Sequence, residues 1–542
     1  MKKRIFFTII AALSLTACVG DLDQTPMAGD VVHNVYSDPI LRKGALAKIY
    51  GGFSLVGQYG PGSTDIDVKD AGASEFLRAW WSLQTISTDE CKCVWGDSWV
   101  TEINHNTWST TKNDAIYATY TRAIMMISYA NDFLRNTNDN DEEIAGERSE
   151  VRFLRSFAYW ILLDTFGNPP FVLETDPIGA FKPKQINALD LYAWLETELL
   201  DLVSDQSHLK PVKSQVYPRV DKGAAYGLLA RLYLNHKTYL GEENPQVYEK
   251  AAQAAQKVIE RYPLAKNYQA LFMGDNSTNP DVLQEVVYAA CYDANNTQSF
   301  GGSTYLICAG QGEQQQLGVG GNWNGLVVSS EFAAQLIGQP AVNSSVPGEK
   351  PNYTSTLDNR ALISIEYSAS KDMTGSDFSK GWHVEKFNNN RFLEPGVDYA
   401  KKEKFSSVDF PLLRAGEMYL IYAEAKIRAT GGEQTTDAMA IQYVKDLQIR
   451  ANRDSRLIRP QAGEPLTLDD VFAEISRELY WEGLRRTTLI RFDKYHSARY
   501  LWPWKAGVKN GQEFAAYKDI FPIPEGDRQI NENLKQNEGY QN

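Results

Sequence analysis

A chain of 542 residues with 43% hydrophobic and 12% aromatic side chains is long and apolar enough to bury a large core, which excludes an intrinsically disordered protein. The formal net charge of −13 at pH 7, with no basic stripe along the chain, argues against nucleic acid as a partner, because an acidic surface repels phosphate backbones. Five cysteines are too few for a disulfide scaffold and the six histidines do not cluster, so neither a thiolate zinc site nor a resident cofactor is expected.

The chain begins with Met1, Lys2, Lys3 and Arg4, followed by an apolar stretch from Ile5 to Leu15 that is too short to cross a bilayer as a helix. Leu15-Thr16-Ala17-Cys18 sets small residues before a cysteine and resembles a lipobox. Residues 1–17 therefore read as a lipoprotein signal peptide, and Cys18 as the lipidated, palmitate-bearing residue of a mature protein that is more acidic still. Residues 18–38, with Asp21 and Asp23 and few apolar positions, read as a tether. No later apolar run is long enough to span a membrane, so acyl chains are the expected anchor.

Residues 53–110 are irregular in pattern and carry Trp80, Trp81, Trp95, Trp99 and Trp108. Segments 112–136, 142–166, 189–204, 219–237 and 246–261 then repeat apolar residues at three- and four-residue steps, which predicts amphipathic helices. Gly167-Asn168-Pro169-Pro170 and Tyr262-Pro263 supply stops, and Asp221 a start. From about 264 to 410 the composition shifts to Gly, Asn, Ser and Gln with short β-branched runs, which predicts loops and small strands of the kind that carry function. A second helical block spans about 412–492, in three pieces. Cys91, Cys93, Cys291 and Cys308 could pair in an exported protein, but spacing does not decide it. Gly318-Val319-Gly320-Gly321 lacks the Lys-Ser or Lys-Thr of a phosphate loop. Ala158, Ala230 and Ala423 each sit among large apolar residues, as in tetratricopeptide hairpins, although periodicity alone leaves an irregular bundle equally open.

Several motifs together resemble the SusD/RagB family of surface glycan-binding lipoproteins. They are Cys18 with Asp21-Leu22-Asp23-Gln24-Thr25-Pro26, Glu150-Val151-Arg152-Phe153-Leu154-Arg155 leading to Asp164-Thr165-Phe166-Gly167, Gly301-Gly302-Ser303-Thr304-Tyr305, and Arg477-Glu478-Leu479-Tyr480-Trp481-Glu482-Gly483-Leu484-Arg485-Arg486. Thr488 stands where that last motif usually continues with an aspartate. The resemblance implies a mostly α fold, a right-handed stack of tetratricopeptide-like helical hairpins, with an irregular loop-rich ligand-binding subdomain. On this reading residues 39–542 form one SusD-like domain, with its scaffold at about 112–261 and 412–492 and its ligand-binding regions at about 53–110 and 264–410. It also implies an outer-membrane, lipid-anchored protein facing the cell surface, partnered with a SusC-type TonB-dependent β-barrel transporter.

A sugar ring offers an apolar C–H face and a rim of hydroxyls, so it is met by exposed aromatic rings and planar polar groups. In starch-binding members of the family three aromatics follow the curve of an α-glucan, and the matching positions here are Trp95, Phe300 and Trp323, with Phe300 in place of a tyrosine. Arg78 and Asp70 match polar contacts beside them, and Ser98 replaces an asparagine. Gln314, Gln315, Gln316, Asn322 and Asn324 surround Trp323 with the composition of an exposed loop. Trp481, Trp502 and Trp504 are assigned to packing, Trp481 on a helical stripe. A calcium ion occurs in such relatives near the loop equivalent to 275–281. Ser277 and Ser407 replace carboxylates there, which leaves Asp275 and Asp409 as the candidate ligands. The expected function is capture of starch-like α-glucan oligosaccharides and their delivery to the transporter. The alternatives are another glycan or a peptide nutrient, and a surface glycoside hydrolase using Asp89 and Glu90.

Overall fold

The structure, a computed structural model, describes residues 35–312, 317–337, 357–364 and 381–540. Cys18, most of the expected tether and Gln314, Gln315 and Gln316 lie outside the described residues. The elements that matter for the site are, in chain order, α1 (Pro39–Gly51), α2 (Phe76–Thr85), β1 (Lys92–Cys93), α3 (Ser98–Asn104), α4 (Asp114–Arg135), α5 (Glu142–Phe166), α6 (Ala188–Val203), α7 (Lys222–Leu234), α8 (Pro245–Ile259), β2 (Val286–Ala290), α9 (Gly302–Gly310), β3 (Leu326–Val327), α10 (Ser330–Ile337), β4 (Ile363–Ser364), β5 (His383–Val384), β6 (Phe410–Arg414), α11 (Ala415–Arg428), α12 (Ala438–Arg450), α13 (Leu468–Glu478) and α14 (Arg485–Arg491).

Helix starts follow from short polar side chains that satisfy the first free N–H groups, each cap contributing about 1 kcal/mol. Asn113 caps α4, Asp141 caps α5, Asp221 caps α7 and Asn244, with Pro245 behind it, caps α8. Thr467 and Asp470 form a reciprocal capping box on α13. Gly167, at φ 70°, lets the chain turn out of α5 and returns its N–H to Leu162 and Leu163.

Consecutive helices pack on one another from α4 through α8, and the series continues from α8 directly onto α11, then to α12 and α13. The hairpins α4/α5, α6/α7, α8/α11 and α12/α13 form the tetratricopeptide-like stack. Ala158, Ala230 and Ala423 are fully buried within it, where the absence of a larger side chain lets helices approach closely. Residues 260–414 are thus an excursion hung between two neighbouring helices. Antiparallel β2 and β6 pair Val286 with Arg414 and Ala290 with Phe410, closing the base of that excursion. Among the described residues no helix is long and apolar enough to cross a membrane.

Charged residues of the motifs quoted above tie distant segments together, most of them from buried positions. Glu478 accepts from Arg360 at 2.8 Å and Arg414 at 2.7 Å and also pairs with Arg450. Arg414 reaches Glu285 at 2.9 Å and Glu482 at 2.7 Å, and Lys386 meets Glu482 at 2.7 Å. Excursion residues 360 and 386 are in this way locked to the turn after α13. Arg486 bonds Asp164 at 3.3 Å in the core, while the half-buried Arg152 holds Glu198 at 2.8 Å outside that buried set. Removing one member of such a buried set leaves its partners charged and unpaired, which costs about 3–5 kcal/mol.

The structure corrects several sequence expectations. Residues 53–110 contain α2 and α3: α2 is only ten residues long and is buried on every side, including Trp80, Trp81, Arg78 and Gln84, so it offers too short a run for its period to be recognised. The same holds for α9 within 264–410. The second helical block begins as strand β6 and divides into four helices, because Gly483 at φ 71° breaks the chain between α13 and α14. Trp481 is buried as expected, but in that turn, at φ 63°, against Trp81 at 5.2 Å between ring centroids. Trp502 is buried, whereas Trp504 is partly exposed and packs with Val94 on Val327. The end of the expected tether is docked: Tyr36 lies edge-on to Phe133 at 5.6 Å and donates to Asp132 at 2.6 Å.

Candidate functional site

The site is assembled around α9. Glu75, the N-cap of α2, accepts from Arg78 N at 2.7 Å, from Tyr292 Oη at 2.7 Å and from Gly302 N at 2.9 Å, so one buried carboxylate, its pKa raised by burial, joins the starts of α2 and α9. Gly301 and Gly302 leave no room for side chains there: a Cβ on Gly301 would meet Glu75 and one on Gly302 would meet Tyr292, each inside 3 Å. Arg78, on the first turn of α2, reaches Asp70 at 2.9 Å and lies over Tyr305 of α9 at 4.5 Å and over Trp95 at 5.4 Å.

Strands β1 and β3 pair Lys92 with Val327 and Cys93 with Leu326, which brings the Trp95 segment beside the Trp323 segment. Val94 N donates to Gly325 O at 2.8 Å and Trp95 Nε1 to Asn324 O at 2.8 Å. Gly325, at φ 134°, permits this approach, since a Cβ there would stand 2.4 Å from Trp95 Nε1. Trp323 N donates to Cys308 O at 2.7 Å and thereby hangs from the last turn of α9. Phe300, just before α9, lies 6.1 Å from Trp323 and 5.0 Å from Phe405, ring to ring.

Trp95, Phe300 and Trp323 are all partly exposed, and Asp70 is exposed at the edge of the group. Five of the six residues expected to bind ligand therefore lie in one neighbourhood, and Ser98 stands exposed at the first position of α3, on the turn after Trp95. Sequence reasoning missed Phe405 and Lys404, whose Nζ sits 5.1 Å from the Phe300 centroid. Neither carries a local signal, because only the return of the chain at 404–405 places them beside Phe300. Tyr305, which backs Arg78, was present in the Gly301–Tyr305 motif without an assigned role.

The other candidates have structural roles. Asp89 holds Arg485 through both oxygens at 2.7 and 2.6 Å and accepts from Tyr500 at 2.6 Å. Glu90 accepts from Trp481 N at 2.7 Å and is buried, which pushes its carboxyl up to about 8. Both acids of the hydrolase alternative thus face the core. Asp275 accepts from Phe392 N and Leu393 N, each at 2.8 Å, and Asp409 from Tyr217 Oη at 2.6 Å and Tyr292 N at 2.8 Å. These oxygens already have protein donors, and among the described residues no group of three or more His, Cys, Asp or Glu is placed to hold a metal ion. Cys91, Cys93, Cys291 and Cys308 are free thiols, and burial pushes Cys93 and Cys308 up to about 12. Gly318 O and Gly320 N are bonded to Asn389 and Glu403, so the glycine-rich stretch is a packed crossing.

Comparison with known proteins agrees with this architecture. The profile of the SusD family matches residues 344–540, and a profile described as starch-binding, associating with outer membrane, matches residues 30–234. The starch-binding protein SusD of Bacteroides thetaiotaomicron is 30% identical over 100% of this chain and 99% of its own length. A SusD superfamily protein from Parabacteroides distasonis superposes with a TM-score of 0.67 at 19% identity, covering 92% of this chain and 99% of its own. Surface glycan-binding protein A from Bacteroides fluxus gives a TM-score of 0.66 at 16% identity, covering 93% of this chain and 100% of its own. By full-length sequence similarity, family profile and fold, the chain belongs to the SusD family.

Proposed function

We propose that this protein is a non-catalytic, lipid-anchored receptor at the outer-membrane surface that binds starch-like α-glucan oligosaccharides and passes them to a SusC-type TonB-dependent β-barrel. The observation that carries the reading is the gathering of Trp95, Phe300 and Trp323, all partly exposed, beside the Arg78–Asp70 pair. Rigid rings offer contact area to the C–H face of a glucose unit at low entropic cost, and the exposed Asp70 carboxylate, fixed by the buried Arg78 guanidinium, offers directed acceptors to its hydroxyls. The full-length similarity to a starch-binding protein supports α-glucan as the cargo, and the lipobox at Cys18 supports the anchor. Binding without catalysis is supported by the burial of Asp89 and Glu90, which leaves no carboxylate pair from that segment facing the rings.

Soluble protein beginning after Cys18 should bind maltoheptaose and amylopectin in calorimetry and affinity gels and release no reducing sugar. Absence of α-glucan binding, with binding of another glycan or of peptides in a screen, would replace the cargo. Co-purification of a large outer-membrane β-barrel with the lipidated full-length chain tests the transporter partnership.

A further inference from the structure

Away from these rings, α1, the loop that follows it and α4 enclose a cavity of about 560 Å³, within the size range of small-ligand sites. Its wall presents the ring of Tyr129, with Lys48 Nζ 4.3 Å from the centroid, and the Arg122–Asp65 pair at 2.7 Å. Arg122 is buried and otherwise tied to Val56 O at 2.7 Å and Ser74 O at 2.8 Å, so its guanidinium is spent within the protein and fixes the Asp65 carboxylate at the cavity wall. Gln58, Asn296 and Gln298 bring primary amides to the lining.

This is the chemistry of the first site in a second location: a partly exposed aromatic ring, an aspartate carboxylate fixed by a buried arginine, and planar groups that both donate and accept. Two chain segments serve both places. Residues 58–78 carry Gln58 and Asp65 to the cavity and Asp70 and Arg78 to the rings, while residues 296–300 carry Asn296 and Gln298 to one and Phe300 to the other. The space is open, since a Cβ on Gly44 of α1 or on Gly60 would meet nothing within 4 Å. We infer that this cavity is a second oligosaccharide-binding site, separate from the three rings; the inference rests on the glycan-binding reading above.

Maltoheptaose titrated calorimetrically into four forms of the soluble protein separates the two ideas. The native protein should bind at two sites, Trp95→Ala/Trp323→Ala should keep one, Gly44→Trp should keep the other, and the combined variant should bind nothing. Gly44→Trp places its ring in open space, so its melting temperature should stay within a few degrees of the native value. Should it unfold instead, Gln58→Ala at the exposed rim, in the ring-deficient background, should weaken the remaining site at least threefold. Loss of all binding in the ring-deficient variant would overturn the cavity and leave the proposed function standing. Binding that survives there but disappears with Gly44→Trp upholds the cavity even if the rings prove idle, and no heat from the native protein overturns both.

Discussion

The junction around α13 and α14 and the ring cluster around α9 are built on opposite physical terms. At the junction Arg360, Arg414 and Glu478 are buried and hydrogen-bonded to several partners each, so charge is held where water cannot reach it. At the cluster the rings are half exposed and held by backbone bonds, such as those to Asn324 O and Cys308 O, leaving faces free. The motif residues that advertise the family therefore secure the architecture. The three rings that meet ligand in the proposed function lie in loops, where their local mark is an aromatic beside glycines.

Glu478→Ala should produce the largest effect that separates the two regions. Three arginines lose a common acceptor, so unfolding in urea should show a loss of about 3–5 kcal/mol, with maltoheptaose affinity of the folded protein nearly unchanged. Trp95→Ala/Trp323→Ala should do the reverse, weakening α-glucan binding at the rings at least tenfold, or about 1.4 kcal/mol, with a smaller loss of stability than Glu478→Ala. Equal stability losses in both would erase the distinction. Ser98→Asn sharpens it further: an added planar amide at the rim should tighten α-glucan binding by about 0.5–1.5 kcal/mol, and a Kd unchanged in calorimetry would remove Ser98 from the site.

The smallest effect is a pH dependence at the edge of the junction. Burial, with Oε2 lacking a hydrogen-bond partner, raises the Glu90 carboxyl to about 8, so the native protein holds a proton that the unfolded chain releases. Its contribution to stability is complete below the ordinary glutamate range and is lost as pH rises through about 8. Glu90→Gln has no such titration and can still accept from Trp481 N. The urea midpoint of the native protein relative to this variant should therefore fall between pH 5 and pH 9. A constant difference across that range would show that Glu90 is ionised in the folded protein.

The scaffold was largely legible because α4 to α8 are long runs that each begin at a polar cap, and α4, α6 and α8 also carry a one-sided apolar stripe, all local properties. Helices α2 and α9 escaped notice because they run for only ten and nine residues inside irregular segments, and Gly483 broke α13 from α14 because a left-handed turn is required there. The site residues were reached through family resemblance. Asp275, Asp409, Asp89 and Glu90 look like functional acids in the sequence, yet the first three have both oxygens engaged by protein donors, and Glu90 is buried with one oxygen bonded to Trp481 N.

The sequence by itself determined the acidic charge, the amphipathic helices and their caps, and the change of texture between scaffold and excursion. These depend on neighbours a few residues away. Only the tertiary structure decided which charges cancel, that Trp95 meets Asn324, that Lys404 lies over Phe300, and that a cavity opens between α1 and α4. Such contacts join residues tens to hundreds of positions apart, so they exist only once packing has chosen which surfaces meet.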